Sequence, residues 1–411
     1  MIYQLLFLAP LEWHHSVPIL DQTAAIYSSG ITKTVTSIDR LVFRFKGEWV
    51  PVGSTGDTSF AWAQLRVFLL LSVTGALVWT LFSRNKNRPV WWMYWASLFG
   101  RYYLALCCIG YALIKMACLQ MPFPSLSQMA TPLGDFSSMR LLWVFIGASP
   151  PYQVFLGCME LLAAILLFNR KTVTSGLLLA FTLFANISLL NLAYDVGVKI
   201  FSLHLLAICL LLLGRDHKRL AAFLILNKPA GISKAYEFPE PAAFPNTFRK
   251  YIKIFLILLA FLQPVLEYRE LFLRNRRRTD ASIFGKARYE VESFTIYGPD
   301  KVAIDKEAWK DIIFDDATSG SVSAADTAFT SQYGRGYFSF EADSSKKILT
   351  LRGFRKDASV LYSFQYQKAD SARYRLQQIN GRDTLVIMIR RDPHHYSLNQ
   401  KSFHWMMEAV K

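Results

Sequence analysis

The first two thirds of the chain consist of long apolar stretches separated by short polar segments, whereas the last third has no long apolar run. A helix needs roughly 20 mainly apolar residues to cross about 30 Å of hydrocarbon. The stretches that approach this length are Trp62–Phe82, Met93–Met116, Gln153–Phe168, Val173–Leu192, Ile200–Leu213 and Tyr251–Val265. The pattern therefore predicts six membrane-spanning helices.

Two shorter apolar segments lie outside these six. Met1–Ala9 is too short to cross a bilayer and lacks the basic start and small-residue cleavage site of a signal peptide. We expect it to be the end of a further helix, which would raise the number of spans to seven. Arg219–Leu226 is also too short, and it fits a helix on the membrane surface or a continuation of the preceding loop equally well.

Composition agrees with a membrane protein. Hydrophobic residues make up 53% of the chain and charged residues only 18%, against roughly 25% charged residues in soluble domains. From Met1 to Arg278 basic residues exceed acidic ones by 14, whereas from Thr279 to Lys411 the excess is only 2. The excess positive charge therefore belongs to the apolar part, where it indicates helix orientation rather than binding of nucleic acid.

The basic residues follow alternate spans. They are Arg84, Lys86 and Arg88 after the first span, Arg170 and Lys171 after the third, and Arg215, Lys218 and Arg219 after the fifth. By the positive-inside rule these loops face the cytoplasm of a bacterial inner membrane, so Asp21–Phe60 and the tail are predicted outside, in the periplasm. The basic run Arg274–Arg278, which would then also lie outside, argues against this orientation.

The polar tail is predicted to be a small, mainly β soluble domain. Tyr374–Ile379 and Thr384–Ile389 flank Asn380-Gly381, a favoured pair for a tight hairpin turn. Ile348–Phe354 and Val360–Tyr366 predict a second hairpin, Tyr289–Tyr297 a further strand, and Glu307–Phe314 a short helix or strand. We expect an antiparallel sheet with one covered face. The predicted organisation is an N-terminal segment over 1–61, a helical bundle over 62–278 and a β-rich domain over 279–411.

Several polar side chains fall within or beside the apolar spans, where an ionisable group costs roughly 2.5–3.5 kcal/mol on insertion scales. Asn191, Asp195 and Lys199 follow one another at intervals of four residues, which fits one helical face or, because of Gly197, a turn between two spans. The candidates for a ligand pocket in the spans are Arg101, Lys115, Glu160, Asn191, Asp195, Lys199 and His204.

Two interpretations of this set stay open. In one, Arg101, Glu160, Asp195 and Lys199 form ion pairs that hold helices together, and Lys115 extends to the membrane surface. In the other, the set lines a pocket for a polar headgroup, a quinone or an ion. Asp135, Arg140 and Tyr152 lie in or next to the loop before Glu160, where they would cap such a pocket or simply close the loop by hydrogen bonds.

Motifs of soluble enzymes and metal proteins are missing from the sequence. All five cysteines fall in or near apolar spans without a CxxC pair, as expected of small apolar core residues. Only His204 lies within a predicted span, which disfavours a bis-histidine haem, and His394-His395 fits no standard zinc spacing. We predict no metal site, and no nucleotide-binding loop or hydrolase elbow occurs.

Four segments carry a resemblance to a known family. RYYLALCCIGYALIKM, QMPFP, GDFSSMRLLWVFIGASPPYQVFLGCMELLAAILLFNRKT and NISLLNLAYDVGVKIFSLHLL occur in this order between Arg101 and Leu206. The sequence from about Gly53 to Leu213 resembles the DoxX-like family of bacterial membrane proteins. It is most similar to long, uncharacterised members with a β-rich C-terminal extension. The segment FHWMMEA of this chain resembles the FHW segment that closes those members.

The resemblance implies a core of about four helices, with a G-x-x-E pattern that Gly157 and Glu160 occupy here. It further implies a membrane subunit of a quinone oxidoreductase or of a redox-stress complex. The extra first span, the last span and the tail depart from short members, so the reaction does not transfer directly.

Three functional hypotheses follow. One is a subunit or scaffold of a membrane complex that binds quinone or lipid in its bundle, at most as part of a quinone-linked oxidoreductase. The alternative is a non-enzymatic envelope assembly protein that binds a membrane or envelope protein through its β-domain. Transport of a small solute is less favoured, because the sequence has no internal repeat with broken helices.

Overall fold

The computed structural model describes residues 18–44, 56–82, 88–231, 233, 246–280, 283–298, 302–304, 309–324, 329–353, 359–380, 383–393 and 396–399. The predicted helix end Met1–Ala9, Gly381 of the predicted turn and the pair His394-His395 lie outside these residues. Residue contacts divide the chain into two compact units. The first comprises Met1–Gln120 and Pro151–Tyr268, and the second comprises Met121–Pro150 and Arg269–Lys411. The division thus groups the connection 121–150 with the tail, which the sequence analysis did not anticipate.

The described part of the chain contains ten α-helices, with short 3-10 turns at Leu133–Asp135 and Ser397–Asn399. The helices are α1 (Pro18–Val42), α2 (Ser59–Phe82), α3 (Arg88–Met116), α4 (Leu126–Met129), α5 (Ser138–Gly147), α6 (Pro150–Phe168), α7 (Val173–Ala193), α8 (Lys199–Gly214), α9 (His217–Leu224) and α10 (Asn246–Asp280).

Among the described residues, four helices are long and apolar enough to cross a membrane: α2, α3 from Trp91 onwards, α6 and α7. They correspond to the first four predicted spans. The fifth predicted span is α8, which has 16 residues and forms with α9 a pair bent by 82°. The helical alternative for Arg219–Leu226 is confirmed, since α9 covers His217–Leu224. The sixth predicted span lies within α10, and its crossing of a membrane stays a prediction.

The core of the first unit lies between α3, α6, α7 and α8. Buried side chains from all four meet there, including Leu104, Ala163, Ala180 and Leu205. The close approach of α6 and α7 requires a glycine, because a Cβ built at Gly176 would lie 2.9 Å from the Cβ of Leu166. Small residues of this kind allow the van der Waals packing that holds helices together in lipid. The free cysteines Cys108 and Cys209 are part of this core, as the sequence predicts.

The helices α1 and α2 pack against each other through a smaller cluster around Val35, Phe60 and Val67. An ion pair reinforces this contact. The carboxylate of Asp39, which is fully buried, accepts hydrogen bonds from Nε of Arg66 on Oδ1 at 3.2 Å and from Nη2 on Oδ2 at 3.0 Å. This bidentate geometry is the strongest arrangement of an arginine and a carboxylate. The α1–α2 pair is therefore held by both apolar packing and charge.

The tail forms an antiparallel β-barrel. The described strands are β1 (Ala287–Tyr297), β2 (Val302–Ile304), β3 (Trp309–Phe314), β4 (Ser319–Ala324), β5 (Thr330–Gln332), β6 (Arg335–Asp343), β7 (Ile348–Arg352), β8 (Val360–Lys368), β9 (Arg373–Asn380) and β10 (Asp383–Arg391). Their order is β10-β9-β8-β7-β6-β4-β3-β1, and β1 also pairs with β10. These eight strands close the barrel, while β2 pairs with β1 and β5 with β6.

The expectation of a sheet with one covered face was therefore incomplete. Antiparallel pairing is confirmed, but the sheet curls until its first and last strands meet, which removes both exposed edges. The strands β4 and β5 were missed because their sequences, SGSVSA and TSQ, lack the apolar alternation of a half-buried strand. The strand β6 was also missed, although Phe338 and Phe340 alternate with polar residues in it.

Aromatic side chains fill the barrel interior. Trp309 lies at the centre with its ring 5.3 Å from that of Tyr362, and Phe284 stacks on Phe314 at 4.6 Å. Such aromatic pairs contribute roughly 0.5–1.5 kcal/mol beyond their buried area. The large aromatic residues of this core are Phe284, Tyr289, Phe294, Trp309, Phe314, Phe329, Phe338, Phe340, Phe364 and Tyr366.

The predicted strands and hairpins of the tail are confirmed with small shifts. The pairs β9–β10 and β7–β8 are antiparallel hairpins, and Glu307–Phe314 contains a strand rather than a helix. The predicted turn was wrong by one residue, because Asn380 pairs with Asp383 and so ends β9 instead of lying at the turn's centre. The register follows from the need to place Leu376 and Ile387 together in the core.

The segment 121–150 packs against β3, β4 and the β5–β6 turn of the barrel. Oγ of Ser127 in α4 lies 2.6 Å from Oγ of Ser321, and its backbone N–H donates to Asp315 at 2.9 Å. Further along, the guanidinium of Arg140 lies 4.5 Å from the ring centre of Tyr333. A capping box formed by Ser125 and Gln128 begins α4 and fixes its direction.

Candidate functional site

Two of the predicted pocket residues form a buried ion pair in the first unit. Nζ of Lys115, at the end of α3, donates to Oε1 of Glu160 in α6. The side chains are only 7% and 3% exposed. The prediction that Lys115 extends to the membrane surface was therefore wrong. Each of these charges would be costly to bury alone, because it loses its hydration. Burial of Lys115 beside Glu160 compensates part of this cost through the attraction between the two charges.

Gly157 makes this pairing possible. A Cβ at position 157 would lie 2.8 Å from the carbonyl oxygen of Ala112 and 3.2 Å from Cβ of Lys115, so only glycine allows α6 to approach α3 this closely. Glu160 follows Gly157 by three residues and therefore lies on the same helix face, one turn further on. The G-x-x-E pattern thus has a physical explanation: the glycine brings the helices together, and the glutamate meets the lysine there.

The pair leaves one polar atom without a partner. Oε2 of Glu160 is buried and has no hydrogen-bond partner among the described residues. The same is true of Oγ of Ser188 and Nδ2 of Asn191, which are one turn apart in α7. A buried polar atom that loses its hydrogen bonds to water costs roughly 1–3 kcal/mol. Such atoms therefore mark positions where a hydroxyl, a carbonyl or a proton from another molecule would be bound favourably.

Two further predicted pocket residues, Arg101 and His204, have contacts other than the Lys115–Glu160 pair. Arg101 is 3% exposed in α3, with its guanidinium 5.0 Å from the ring centre of Tyr102. His204 in α8 is partly buried, and its Nδ1 lies 2.6 Å from the carbonyl oxygen of Ile200 one turn earlier. A histidine nitrogen bound to its own helix is oriented by the backbone. The other ring nitrogen, Nε2, is then the one directed away from that carbonyl.

The segment around Asp195 is a turn between α7 and α8, so Asn191, Asp195 and Lys199 do not share one helical face, and the turn that the sequence offered as the alternative is correct. The helix α7 ends at Ala193, Asp195 has a positive φ of 51°, and α8 begins at Lys199. The predicted ion pair is confirmed, since Nζ of Lys199 lies 2.7 Å from Oδ1 of Asp195. Because Asp195 is highly exposed, this pair contributes little to stability.

Asp57 is the residue that organises this turn, and sequence reasoning missed it. Its carboxylate accepts hydrogen bonds from the backbone N–H groups of Lys199 at 2.7 Å and Ile200 at 3.0 Å. It therefore caps the start of α8, where unpaired N–H groups and the helix dipole favour a negative charge. A capping residue 142 positions away in the sequence gives no local signal, which explains why it was not found.

Of the three predicted loop residues, two belong to the barrel unit. Arg140 contacts Tyr333, and the carboxylate of Asp135 lies against Gly334, where an added Cβ would be 2.7 Å from Oδ2. Both therefore fix the segment 121–150 on the β5–β6 turn. Tyr152 lies in the first unit at the start of α6 and is 43% exposed.

A second polar cluster lies on the barrel wall. Asp311 accepts from Nη2 of Arg335 and, at 3.1 Å, from Nε of Arg288. Nε of Arg335 donates to Oγ of Ser321 at 2.8 Å, which links the cluster to Ser127. Burial would lower the pKa of Arg288, but Asp311 and Asp392 raise it above its usual value. The charged groups of this cluster bind one another, so we interpret the cluster as a structural contact between the barrel and the segment 121–150 and not as a ligand site.

Burial raises the pKa of Asp315, while hydrogen bonds from Ser127 act in the opposite direction. This carboxylate is thus partly desolvated by the docked segment. Among the described residues, no group of three or more His, Cys, Asp or Glu side chains could hold a metal ion.

Comparison with known proteins gives limited information. No family model matches the chain, and no solved structure matches it. An uncharacterised protein of Bacillus subtilis (strain 168), YwoB, is 37% identical over 79 residues, which cover 19% of this chain and 51% of that protein. The chain thus matches about half the length of that relative. Since the relative is itself uncharacterised, the similarity assigns neither an activity nor a ligand.

Proposed function

We propose that this chain is a multi-pass protein of the bacterial inner membrane that serves as a subunit or scaffold of a membrane complex, with a site for the polar head of a quinone or lipid in its helical unit. The observation that supports this site is the unpartnered Oε2 of Glu160 beside the buried ammonium of Lys115. The DoxX-like resemblance motivates the quinone, and the β-barrel is proposed to lie on the outer side of the membrane.

The residues at this position fit a quinone headgroup chemically. Lys115 is a donor for a carbonyl oxygen, and Oε2 of Glu160 is an acceptor for a hydroxyl. A bound quinone would supply transfer of two electrons and two protons, and Glu160 is the group here that could take up or release a proton at the headgroup. Pockets between helices of a bundle are frequent sites for such ligands. A catalytic partner would have to supply the electrons, so the chain is at most one subunit of an oxidoreductase.

The first experiment is mass spectrometry of an organic extract from the chain purified in mild detergent. We expect a stoichiometric quinone in the wild type and its loss in Glu160→Gln, because a neutral amide accepts a hydrogen bond from the headgroup hydroxyl more weakly than a carboxylate does. The matched control is Asp39→Asn, which removes another buried carboxylate from an ion pair in the same unit.

If the ligand is retained in Asp39→Asn and lost in Glu160→Gln, while both variants still unfold cooperatively on heating, the site is supported. Bulk phospholipid alone in all three extracts, or equal loss in both variants, would contradict the proposal.

A second candidate is a non-enzymatic protein that binds an envelope partner through the barrel. The observation that favours it is the filled interior: aromatic rings occupy the centre of the barrel, so a ligand there would have to displace the core. Recognition would then use the outer wall, where the exposed Arg373, Arg375 and Arg390 lie on neighbouring strands. Cross-linking of the full chain in its own cells tests this. Arg375→Glu should lose the cross-linked partner, whereas Lys171→Glu in the loop between α6 and α7 should keep it.

A further inference from the structure

Four aromatic residues from two helices gather at one end of the first unit. The ring centres of Trp79 at the end of α2 and Trp92 near the start of α3 are 6.0 Å apart, and Trp91 lies 5.0 Å from Trp92 and 5.7 Å from Trp95. Trp79 and Trp91 are 44% and 39% exposed. Tryptophan is enriched at the boundary between hydrocarbon and water, where its ring is buried and its N–H reaches polar groups. The cluster therefore marks a membrane boundary.

A cation is fixed at the same level. Arg215, at the end of α8, donates through Nη1 to Oγ of Ser97 and, at 3.4 Å, to the carbonyl oxygen of Met93. Met93 and Ser97 lie on the same two turns of α3 as Trp92 and Trp95. In addition, Nε1 of Trp95 is buried and has no hydrogen-bond partner among the described residues. An indole donor and a guanidinium thus occur together at the boundary.

The helix α9 lies next to Arg215 in the chain and has both charged and apolar exposed side chains. It turns by 82° from α8 directly after Arg215, and His217 and Lys218 at its start are exposed. Its other end carries exposed apolar side chains: Phe223 and Leu224 are 66% and 58% exposed, followed by Ile225 and Leu226. A short amphipathic helix that leaves a bundle at a steep angle fits a position along the membrane surface.

One acidic residue lies in this region and is already engaged. Both carboxylate oxygens of Asp216 accept from Oγ of Ser233, at 2.8 and 2.7 Å, and Oδ2 lies 3.4 Å from Nη1 of Arg219. Among the described residues of this end, the cations Arg215, Lys218 and Arg219 outnumber this carboxylate.

We propose that the tryptophan cluster, Arg215 and α9 form a binding surface for anionic phospholipid headgroups. Arg215 and Lys218 contact the phosphate, the Trp95 N–H donates to the phosphate or an ester oxygen, and the apolar end of α9 enters the acyl region. Basic pockets between spanning helices on the cytoplasmic side bind acidic lipid heads in this way. This surface is distinct from the proposed quinone site, because none of its residues contributes to the Lys115–Glu160 pair.

The test is native mass spectrometry of the full chain in detergent during titration with phosphatidylglycerol or phosphatidylcholine. We expect tighter binding of phosphatidylglycerol, weakened by salt, and about five-fold weaker binding in Arg215→Gln, since one cation near the surface is lost. Lys171→Gln, a basic residue of another loop, is the matched control and should bind as the wild type does.

Three results would overturn the proposal. These are equal affinity for the two lipids, an unchanged affinity in Arg215→Gln, or binding of inorganic phosphate that is as tight as binding of phosphatidylglycerol. The third result would indicate a simple anion site. Should Arg215→Gln fail to fold, Lys218→Gln and Trp79→Leu change exposed side chains and test the same surface. Wild-type affinity in both of these variants would also reject the proposal.

Discussion

Gly157 and Ala112 are in such close contact that a methyl group at position 157 would lie 2.8 Å from the carbonyl oxygen of Ala112. This contact sets the distance between α3 and α6, and with it the meeting of Lys115 and Glu160. The charge pair and the backbone contact are therefore one structural unit. Either part can be changed separately, which makes the arrangement open to experiment.

Gly157→Ala should separate the two helices and destabilise the protein by about 1–3 kcal/mol, the usual cost of overpacking a tight contact. Thermal unfolding in detergent measures this change. Gly110→Ala on α3 is the matched control, because a Cβ there meets nothing within 4 Å. That variant should be neutral or slightly more stable, since alanine favours a helix over glycine. Equal destabilisation by both substitutions would contradict the close contact.

Removing one member of the buried ion pair should be more harmful than removing both. Lys115→Met leaves the Glu160 carboxylate buried without its counter-charge, and we expect a loss of about 3–5 kcal/mol. The double variant Lys115→Met/Glu160→Leu leaves no buried charge and should recover a large part of this loss. Melting temperatures of the two single variants and the double variant measure the coupling. Additive losses would show that the two side chains do not interact.

Gly320→Ala should destabilise the barrel without affecting the helices. A Cβ at this position of β4 would overlap with the carbonyl oxygen of Ile313 and lie 2.7 Å from the ring of Phe338. Because a backbone atom cannot move aside easily, we expect a loss of at least about 1–3 kcal/mol. The strand band of the infrared spectrum follows barrel unfolding separately from the helices. Gly353→Ala, where a Cβ meets nothing within 4 Å, should leave that transition unchanged.

Asp315 should make the barrel less stable as the pH rises from acid to neutral. Its pKa is raised in the folded state by burial, so the folded protein holds a proton at pH values where the unfolded chain has released it. Stability from this group is therefore highest below the unfolded pKa, falls between the unfolded and the folded pKa, and is constant above. Asp315→Asn should remove this decline, as measured by barrel melting temperatures over that range.

Asp343 provides a comparison of opposite sign. Hydrogen bonds from Ser345 and Lys346 lower the pKa of this exposed carboxyl, so its contribution is present above the unfolded pKa and is lost as the pH falls. Asp343→Asn should therefore reduce the loss of stability in acid. The same pH response in both variants would show that the surroundings of Asp315 do not determine its behaviour.

The helices and strands that the sequence predicts correctly are those with a local pattern. Val173–Leu192 is mainly apolar and lies within α7, and the alternating start of Ile348–Phe354 forms β7 over Ile348–Arg352. The ion pair of Asp195 and Lys199 was also accessible, because four residues separate them. Each of these predictions depends on neighbours within one or two turns of the chain.

The features that escaped prediction join residues far apart in the sequence. The partner of Lys115 is 45 residues away, and the closure of the barrel joins Tyr289 to Arg391. Candidate charges could be recognised by their cost in lipid, but the choice of partner depends on which helices pack together. That choice was made here by Gly157, whose lack of a side chain carries little signal in a single sequence.

The hydrogen bond between Ser127 and Ser321 has a consequence for biogenesis. The two residues are 194 positions apart, so a ribosome that adds about 5–20 residues per second completes the second roughly 10–40 s after the first. During this interval α4 has no barrel to bind, while later helices are still being made. Since β1 must also wait for β10, the barrel can close only when almost the whole chain has been synthesised. The segment 121–150 should therefore benefit from a chaperone until the barrel has closed.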